Sequence, residues 1–267
     1  MRTARLVQAR FLDPRSAGAA ARRPIRDAVN IPFTELPRRV HELPPRAESV
    51  AVVGPDDAAQ PAVAWLTGHG RAAAQAAEWE YAQPTECSDV RRLWRPNAWL
   101  ADVVPRLTPG RALELACGTG RDAVFLASCG WDVTAVDVLP DALERARVLA
   151  TRCAPAIEPI SWQQADLEHG TPAWSTPFDL IVSIRYLHRP LLPRLAAWAR
   201  PGGSFVLETF TTTHRARHGR PAADAHVLQP GELRARLADW QIVEYSEDWR
   251  GDVHTARVWA RRVAANQ

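Results

Sequence analysis

Short apolar runs and amphipathic stretches alternate along the chain from residue 97 onward. The stretches at 121–129 and 141–150 repeat apolar residues every three or four positions, which is typical of helices that pack on a sheet. Strands are predicted at about 111–116, 132–137, 158–163, 178–184, 203–209, 241–246 and 253–261. This alternation predicts a parallel sheet with helices on both faces. The last two strands are too close together for a crossover helix, so we expect an antiparallel pair at one edge.

A series of shorter elements precedes this pattern. Strands are predicted at 11–12, 28–32 and 49–54, and helices at 35–41 and 58–80. The segment 83–96 contains prolines near both ends and is predicted to be a linker, although Leu93 and Trp94 give it apolar surface. The predicted organisation is a small α/β domain at 1–82, a linker or lid at 83–96, and an α/β domain with a seven-stranded sheet at 97–267.

Composition limits the class of protein. The 267 residues are enough for two domains, and the hydrophobic content of 46% and charged content of 24% are ordinary for a soluble globular protein. No apolar run has the length of a membrane span and no secretory signal is visible, so a cytoplasmic location is expected. The formal net charge of +3 does not indicate a nucleic-acid-binding protein. The four cysteines lack metal-site spacing, so no metal is predicted.

The first strand of the larger domain ends in a glycine turn, Ala116-Cys117-Gly118-Thr119-Gly120, that leads directly into a helix. Such a turn lets backbone N–H groups and the positive end of the helix dipole approach a ligand that carries adenosine. The spacing Gly118-x-Gly120-x-x-Ala123 also fits a dinucleotide-binding turn. Glu114 distinguishes the two ligand classes, because a carboxylate aimed into the crevice repels a pyrophosphate but pairs with an ammonium group.

Acidic residues stand at or after the ends of three predicted strands. Glu114 lies near the end of the first strand, and Asp137 ends the second at a spacing that suits hydrogen bonds to ribose hydroxyls. Asp166 follows the third strand. Because parallel strands end at one edge of a sheet, the three carboxylates are expected to converge there. Structural alternatives remain, with Asp137 as a helix cap and Asp166 as the cap of a turn.

The pattern Glu114-x-x-Cys117-Gly118-x-Gly120 resembles motif I of the class I S-adenosylmethionine-dependent methyltransferases, whose seven-stranded sheet also ends in a hairpin. The resemblance implies S-adenosylmethionine as the cofactor, with Asp166 on the adenine amino group and Leu167 against the ring. The cofactor-binding residues are then predicted to be Glu114, Ala116, Cys117, Gly118, Gly120, Asp137, Val138, Asp166, Leu167 and Ser183. The segment Leu93-Trp94-x-Pro96 with Gly120-Arg121-Asp122 is similar to a tellurite-resistance methyltransferase-like group, which acts on small soft nucleophiles.

Residues after the fourth strand are candidates for acceptor chemistry. Methyl transfer needs alignment and exclusion of water more than acid or base help. Arg185 and Arg189 are predicted to orient an anionic acceptor, and Tyr186 or His188 to accept a proton from a hydroxyl or thiol. Each has a structural alternative in core packing or in starting the next helix. Two further substrate contacts are predicted, Arg215 in an expected long loop at 211–220 and Trp94 as a lid.

The smaller domain resembles the rhodanese family. The matching segments are Leu12-Asp13-Pro14-Arg15-Ser16, then 28–32, and then Val50 to Gly54 before the loop that carries the catalytic cysteine in that family. The corresponding loop here, Gly54 to Gln60, contains no cysteine. A sulfurtransferase-inactive module that packs, docks or binds a protein partner is therefore expected.

Three functions remain open at this point, two enzymatic and one non-catalytic. The first is methylation of a small, anionic or soft nucleophilic acceptor. The second is methylation of RNA, which the arginines between 185 and 220 would permit and which predicts steeply salt-dependent binding. The third is a non-catalytic, cofactor-binding scaffold or sensor.

Overall fold

The chain divides into two units, Met1–Arg95 and Pro96–Gln267. The computed structural model describes residues 4–83, 89–170 and 172–263. Residues 84–88 of the predicted linker, Cys87 among them, lie outside the described residues.

The first unit is built on short parallel strands. Its elements are β1 (Leu6–Gln8), β2 (Phe11–Asp13), α1 (Ala17–Arg22), β3 (Ala28–Asn30), β4 (Val50–Val52), α2 (Asp56–Gly68), β5 (Ala73–Gln75) and β6 (Val90–Arg92), with 3-10 helices at Phe33–Arg38 and Val40–Glu42. Four strands form a parallel sheet in the order β3-β2-β4-β5, and β1 pairs with β6. Leu12, Val52 and Leu66 are fully buried in its core. The predicted small α/β unit is therefore present.

Two details of the first unit differ from the prediction. The long helix expected at 58–80 ends at Gly68, and Gly70 takes a positive φ of 72°, after which β5 extends the sheet. Glycine in the left-handed conformation is a common helix terminator. Gly68 and Gly70 therefore indicate the end of this helix, although the alanine-rich sequence favours a longer one. The expected linker contains β6, and Leu93 is buried in the core of this unit.

The second unit has the predicted seven strands. Its elements are α3 (Ala98–Val103), β7 (Arg111–Leu115), α4 (Arg121–Ser128), β8 (Asp132–Asp137), α5 (Pro140–Cys153), β9 (Ser161–Gln164), β10 (Phe178–Ile184), α6 (Leu195–Trp198), β11 (Ala199–Phe210), α7 (Thr212–His218), α8 (Glu232–Arg236), β12 (Trp240–Arg250) and β13 (Val253–Arg262). Short 3-10 helices are at Val104–Arg106, Ala154–Ala156, Arg189–Arg194 and Asp224–His226.

The seven strands form one sheet in the order β12-β13-β11-β10-β7-β8-β9. Strands β7 to β11 are parallel, whereas β13 runs antiparallel to both β11 and β12. The expected antiparallel pair is thus confirmed at one edge. Apolar side chains cover both faces: Leu113 and Ile181 lie in one core cluster, and Leu180 and Val182 in the other. Burial on both sides explains the nearly continuous apolar runs of these strands.

The order of strands places a crevice in the middle of the sheet. From β7 the chain continues to β8 and β9 on one side, whereas β10 and β11 lie on the other side. The loops after β7 and β10 therefore leave the sheet in opposite directions, and such a switch point is where open α/β sheets bind ligands.

One segment beside this crevice differs from the prediction. The segment 211–220, expected to be a loop, contains α7. The Thr211 hydroxyl accepts a hydrogen bond from the His214 N–H, and Gly219, with a φ of 68°, follows the last turn. Thr211 and Gly219 are ordinary N-terminal and C-terminal helix signals. The helix places Arg215 and the neighbouring polar residues in fixed positions.

The turn between β7 and α4 gives a test of packing. Gly118 and Gly120 both have positive φ, at 55° and 76°. A Cβ on Gly120 would lie 2.7 Å from both Ala146 Cβ and a Trp162 ring carbon, whereas a Cβ on Gly118 would meet nothing within 4 Å.

We expect Gly120→Ala to destabilise the protein by about 2–4 kcal/mol, because overpacking adds to the strain of the left-handed conformation. Gly118→Ala is the matched control and should cost only about 1 kcal/mol, the strain alone. Chemical unfolding without ligand measures both variants. Equal losses would show that the contact with α5 and β9 does not limit residue 120.

Candidate active site at the switch point

Backbone strain is concentrated beside the crevice. Among the described residues, three non-glycine residues have positive φ: Asp27, Ala116 at 55° and Arg185 at 59°. Ala116 directly follows β7, and Arg185 directly follows β10. Non-glycine residues in this conformation cost free energy and are often retained where a site requires them. The two chain segments that enter the switch point are therefore the strained ones.

Asp137 fixes the glycine turn. Its Oδ2 accepts a hydrogen bond of 2.7 Å from the Gly118 N–H, and its Oδ1 accepts one of 2.9 Å from the Leu139 N–H. The Cys117 N–H donates to the Val136 carbonyl at 2.9 Å. The turn after β7 is thus bonded to the end of β8. Each carboxylate oxygen can accept further hydrogen bonds, so these contacts leave Asp137 able to bind a ligand hydroxyl.

The surface next to Asp137 is apolar and open. Val138 and Leu139 are 47% and 60% exposed, although large apolar side chains are usually buried. Space over Gly118 is also open. A flat, uncharged ring could therefore lie on this surface while its sugar reaches Asp137.

Glu114 lies under the start of α4 and is only 3% exposed. Its Oε2 has no hydrogen-bond partner among the described residues. Burial raises the pKa of Glu114 well above its usual range, and the carboxylates of Asp122 and Asp137 raise it further. A buried carboxylate oxygen without a hydrogen-bond partner makes the ionised form of Glu114 costly.

The turn after β9 lies at the same edge but is more exposed. Asp166 accepts a hydrogen bond from the Glu168 N–H at 2.9 Å and contacts His169 Nδ1 at 2.9 Å, and the Glu168 bond lowers the pKa of its carboxyl. Asp166 is thus the cap of a turn, the alternative considered above, and its other lone pairs face solvent. Leu167 is buried in the sheet core. The Ala165 N–H donates to the Asp137 carbonyl, so this turn lies beside the end of β8.

The segment after β10 supplies the polar groups on the other side. Ser183 is buried and its hydroxyl donates to the Tyr186 carbonyl at 3.0 Å. The Tyr186 hydroxyl is buried without a partner among the described residues, and burial raises its pKa to about 12. A phenol with that pKa stays protonated at neutral pH and is suited to donate a hydrogen bond. His188 is half-buried and precedes the 3-10 helix that starts at Arg189.

Arg185 presents a guanidinium group at the crevice. Its backbone N–H donates to the Glu208 carbonyl at 2.7 Å, and its side chain lies over the Phe210 ring, 4.2 Å from the centroid. The guanidinium lies 3.6 Å from a Glu208 carboxylate oxygen and is 38% exposed. Partial burial lowers the pKa of Arg185, although the group remains charged at neutral pH. The cation is thus oriented by Glu208 and Phe210 while part of it remains accessible.

Asn97, Asp122 and Glu208 complete the site and were not predicted. The Asn97 N–H donates to Asp122 at 2.6 Å, and the Asn97 side-chain amide donates to Glu208 at 2.6 Å. Burial raises the pKa of Asp122 to about 6. Two features of the sequence could have predicted two of these residues. Glu208 follows an apolar run, as Asp137 does, and Asn97 is the N-cap of an apolar helix.

Two predicted substrate residues have other contacts. Arg189 donates to both Glu232 oxygens, at 2.6 and 2.8 Å, and to the carbonyls of Asp224, Ala225 and Val227. Arg215 pairs with Asp224 at 2.5 Å. Both guanidinium groups therefore hold the segment before α8 in place.

The remaining predictions concern Trp94 and a metal. Trp94 belongs to the first unit, where it is 2% exposed and the Arg92 guanidinium lies over its ring. Its lid role stays a prediction. Within the described residues, no three His, Cys, Asp or Glu side chains are placed to hold a metal ion.

Comparison with known proteins adds family evidence to this geometry. Residues 112–203, which span β7 to the start of β11, match the family model described as a methyltransferase domain. The matched residues all lie in the second unit. This match includes the glycine turn, Asp137, Asp166 and Arg185.

The individual proteins that resemble this chain are distant from it. Trans-aconitate 2-methyltransferase of Methylobacterium nodulans is 29% identical over 61% of this chain and 65% of its own length. A protein named Hemagglutinin 1 of Eikenella corrodens is 27% identical over 55% of this chain and 49% of its own. The crystal structure of TehB from Haemophilus influenzae superposes with a TM-score of 0.51 at 19% identity, over 61% of each chain, which shows the shared fold. The chain thus spans half to two-thirds of the length of the two curated relatives.

The Arg189–Glu232 pair gives a prediction of stability. We expect Arg189→Gln to destabilise the protein by about 2 kcal/mol at neutral pH, because it leaves a largely buried carboxylate without its main partner. Hydrogen bonds from Arg189, and to a smaller extent from the Gln229 N–H and Arg236, lower the pKa of Glu232 to about 2. A lowered carboxyl pKa contributes stability above about pH 4.5 that is lost as the pH falls toward 2, so the difference should shrink over that interval.

Urea unfolding at several pH values measures this effect. Arg215→Gln is the control, since Asp224 is 86% exposed and such pairs contribute less than about 1 kcal/mol. A pH-independent loss in Arg189→Gln would contradict the assignment of the effect to Glu232.

Proposed function

We propose that this chain is an S-adenosylmethionine-dependent methyltransferase that acts on a small anionic acceptor. The observation that carries the proposal is the pairing of two features at one switch point. The strained turn bonded to Asp137 lies on one side, and the partly exposed Arg185 lies on the other. The match of residues 112–203 to a methyltransferase domain supports the same function.

The residues present fit S-adenosylmethionine. Asp137 would accept hydrogen bonds from the ribose hydroxyls, and the exposed Val138 would lie against the adenine ring. The unpartnered oxygen of Glu114 would face the ammonium group of the methionine part. Asp166 and Leu167, in the turn after β9, are proposed to contact the adenine. When bound, this cofactor supplies a methyl group on a positively charged sulfur, which a nucleophile can displace.

The chain's own contribution to transfer is orientation and exclusion of water. Arg185 would hold the anionic group of the acceptor, since a guanidinium forms paired hydrogen bonds with a carboxylate. Tyr186 and His188 lie in the same segment and are proposed to contact the acceptor. Tyr186 would donate a hydrogen bond, because its hydroxyl stays protonated. Trans-aconitate, which the name of one relative gives as its substrate, is a small anion of this kind.

RNA as the acceptor is less well supported by the geometry. Binding to nucleic acid depends on basic side chains that are available to phosphates. Arg189, Arg215 and Arg217 are instead paired with Glu232, Asp224 and Asp252.

No helix in the described part of the chain combines the length and the apolarity that crossing a membrane requires.

For the first unit we propose a rhodanese-like module without sulfurtransferase activity that binds a protein partner. The parallel sheet around β2 and β4 and the absence of a cysteine from Gly54 to Gln60 support this proposal. Asp56 and Asp57 lie in the first turn of α2, where a catalytic thiolate would meet their negative charge.

The cofactor proposal predicts selective stabilisation by S-adenosylhomocysteine. At a concentration about 100 times its Kd, this product should stabilise the protein by about 2.7 kcal/mol, because it binds only the folded state. NAD at the same concentration is the control and should leave the melting temperature unchanged. Stabilisation by NAD alone would favour the dinucleotide interpretation and end the present one.

The acceptor proposal predicts a specific loss in Arg185→Gln. With methyl-labelled S-adenosylmethionine and a panel of small carboxylates and soft anions, we expect transfer at low acceptor concentration to fall at least about tenfold. Binding of S-adenosylhomocysteine should be retained. Arg106→Gln is the matched control, because Arg106 also lies over an aromatic ring and pairs with a glutamate, but before the start of β7.

Two outcomes would contradict this assignment. Equal transfer by the Arg185 and Arg106 variants would remove Arg185 from the acceptor site. Binding of S-adenosylhomocysteine without transfer to any acceptor in the panel or in cell extract would favour a non-catalytic sensor.

A further inference from the structure

Two buried glutamates and a half-buried aspartate lie together at the crevice. Glu114 and Glu208 are 3% and 7% exposed, and Asp122 lies between them in the first turn of α4. Among the described residues, the one ion pair to any of the three is that of Glu208 with Arg185, at 3.6 Å. Arg121 acts on Glu114, and Arg121 and Arg185 act on Asp122, at longer range. The cluster therefore carries more negative charge than nearby cations balance.

Glu114 is the member of this cluster with the least compensation. Its neighbours in the adjacent strands, Ala135 in β8 and Val182 in β10, are apolar. The charged groups that face it are Asp122 and Arg121 from α4 and Asp137 from the end of β8, and the thiol of Cys117 lies in the turn. The Ala123 N–H favours the ionised carboxylate, but the Oε2 atom has no partner.

This environment favours a neutral carboxyl group in the ligand-free protein. Ionised carboxylates that are buried without a cation are too costly to persist, and the group keeps its proton instead. An ammonium group placed beside the same carboxyl reverses the preference, because opposite charges at close range stabilise the ionised form. The ligand and the proton therefore compete for the same oxygen.

We propose that Glu114 is protonated in the ligand-free protein and releases its proton to solvent when the ammonium group of the cofactor binds beside it. The O–H bond of the Glu114 carboxyl breaks, the proton passes to the buffer, and the ammonium group keeps its three protons. The inference rests on the proposed function, since it takes S-adenosylmethionine or its product as the ligand. Cofactor affinity then depends on pH through a residue of the binding site itself.

Calorimetric titration with S-adenosylhomocysteine tests this coupling. The titration is run in phosphate and in Tris, whose different heats of ionisation report the number of protons released. At pH values below the pKa of Glu114 in the ligand-free protein, about one proton should be released and affinity should rise about tenfold per pH unit. Buried glutamates can have a pKa as high as about 8–9, so the series runs from about pH 6 to about pH 9.

Glu114→Gln keeps the shape of the side chain and an acceptor for the Ala123 N–H, but it has no proton to release. This variant should bind S-adenosylhomocysteine with no proton release and with an affinity independent of pH. Glu144→Gln is the control for removal of a carboxylate outside the cluster. Glu144 lies in α5 and its side chain is 70% exposed, so its variant should release the same proton as the wild type.

The outcomes are distinguishable. Binding of S-adenosylhomocysteine by the wild type without proton release would overturn the inference and leave the proposed function standing. Absence of binding would overturn the proposed function. Equal proton release by the wild type and Glu114→Gln would assign the proton to another group and overturn the inference.

A measurement on the wild type alone covers the case in which Glu114→Gln fails to fold. Infrared difference spectra should show loss of a protonated carboxyl band when S-adenosylhomocysteine binds. Persistence of every such band on binding would contradict ionisation of Glu114.

Discussion

The hydrogen bond from the Gly118 N–H to Asp137 joins the first two strands of the large sheet at their carboxyl ends. It holds a turn in which Ala116, Gly118 and Gly120 all take left-handed conformations, which an isolated chain would not populate together. The position of α4 follows from that turn, and so does the placement of Asp122 in its first turn. The same carboxylate that orders the loop is the proposed ribose ligand, so local folding and ligand binding share one residue.

Holding this turn in place has an electrostatic consequence. Acidic groups accumulate where β7, β8 and β11 end, and Arg185 is the guanidinium that lies within 4 Å of one of them among the described contacts. Burial raises the pKa of Glu114 and of Asp122, so ionising either carboxyl group at this site costs free energy. A ligand that brings positive charge relieves this cost. The arrangement of acidic groups in the fold therefore favours the binding of a cationic ligand.

Most of the larger sheet could be predicted from the sequence, because strands buried on both faces leave long apolar runs and their connections follow a single handedness. The failures have local causes. Gly68 and Gly70 end α2 within a stretch whose alanines suit a longer helix, and a threonine and a glycine convert the expected loop at 211–220 into α7. In both places a terminating residue outweighed the average composition of its segment.

The site shows where prediction from sequence stops. Acids at strand ends were visible in the sequence, but the partner of each guanidinium depends on tertiary packing. Arg189 is held by Glu232, 43 residues away, and Arg185 by Glu208 and Phe210, yet both were read as anion ligands from one short segment. Their geometry separates them. The N–H groups of Arg189 donate to a carboxylate and three carbonyls, so this side chain stabilises its own loop. Arg185 is stacked on a ring and 38% exposed, so it retains N–H donors for an incoming anion.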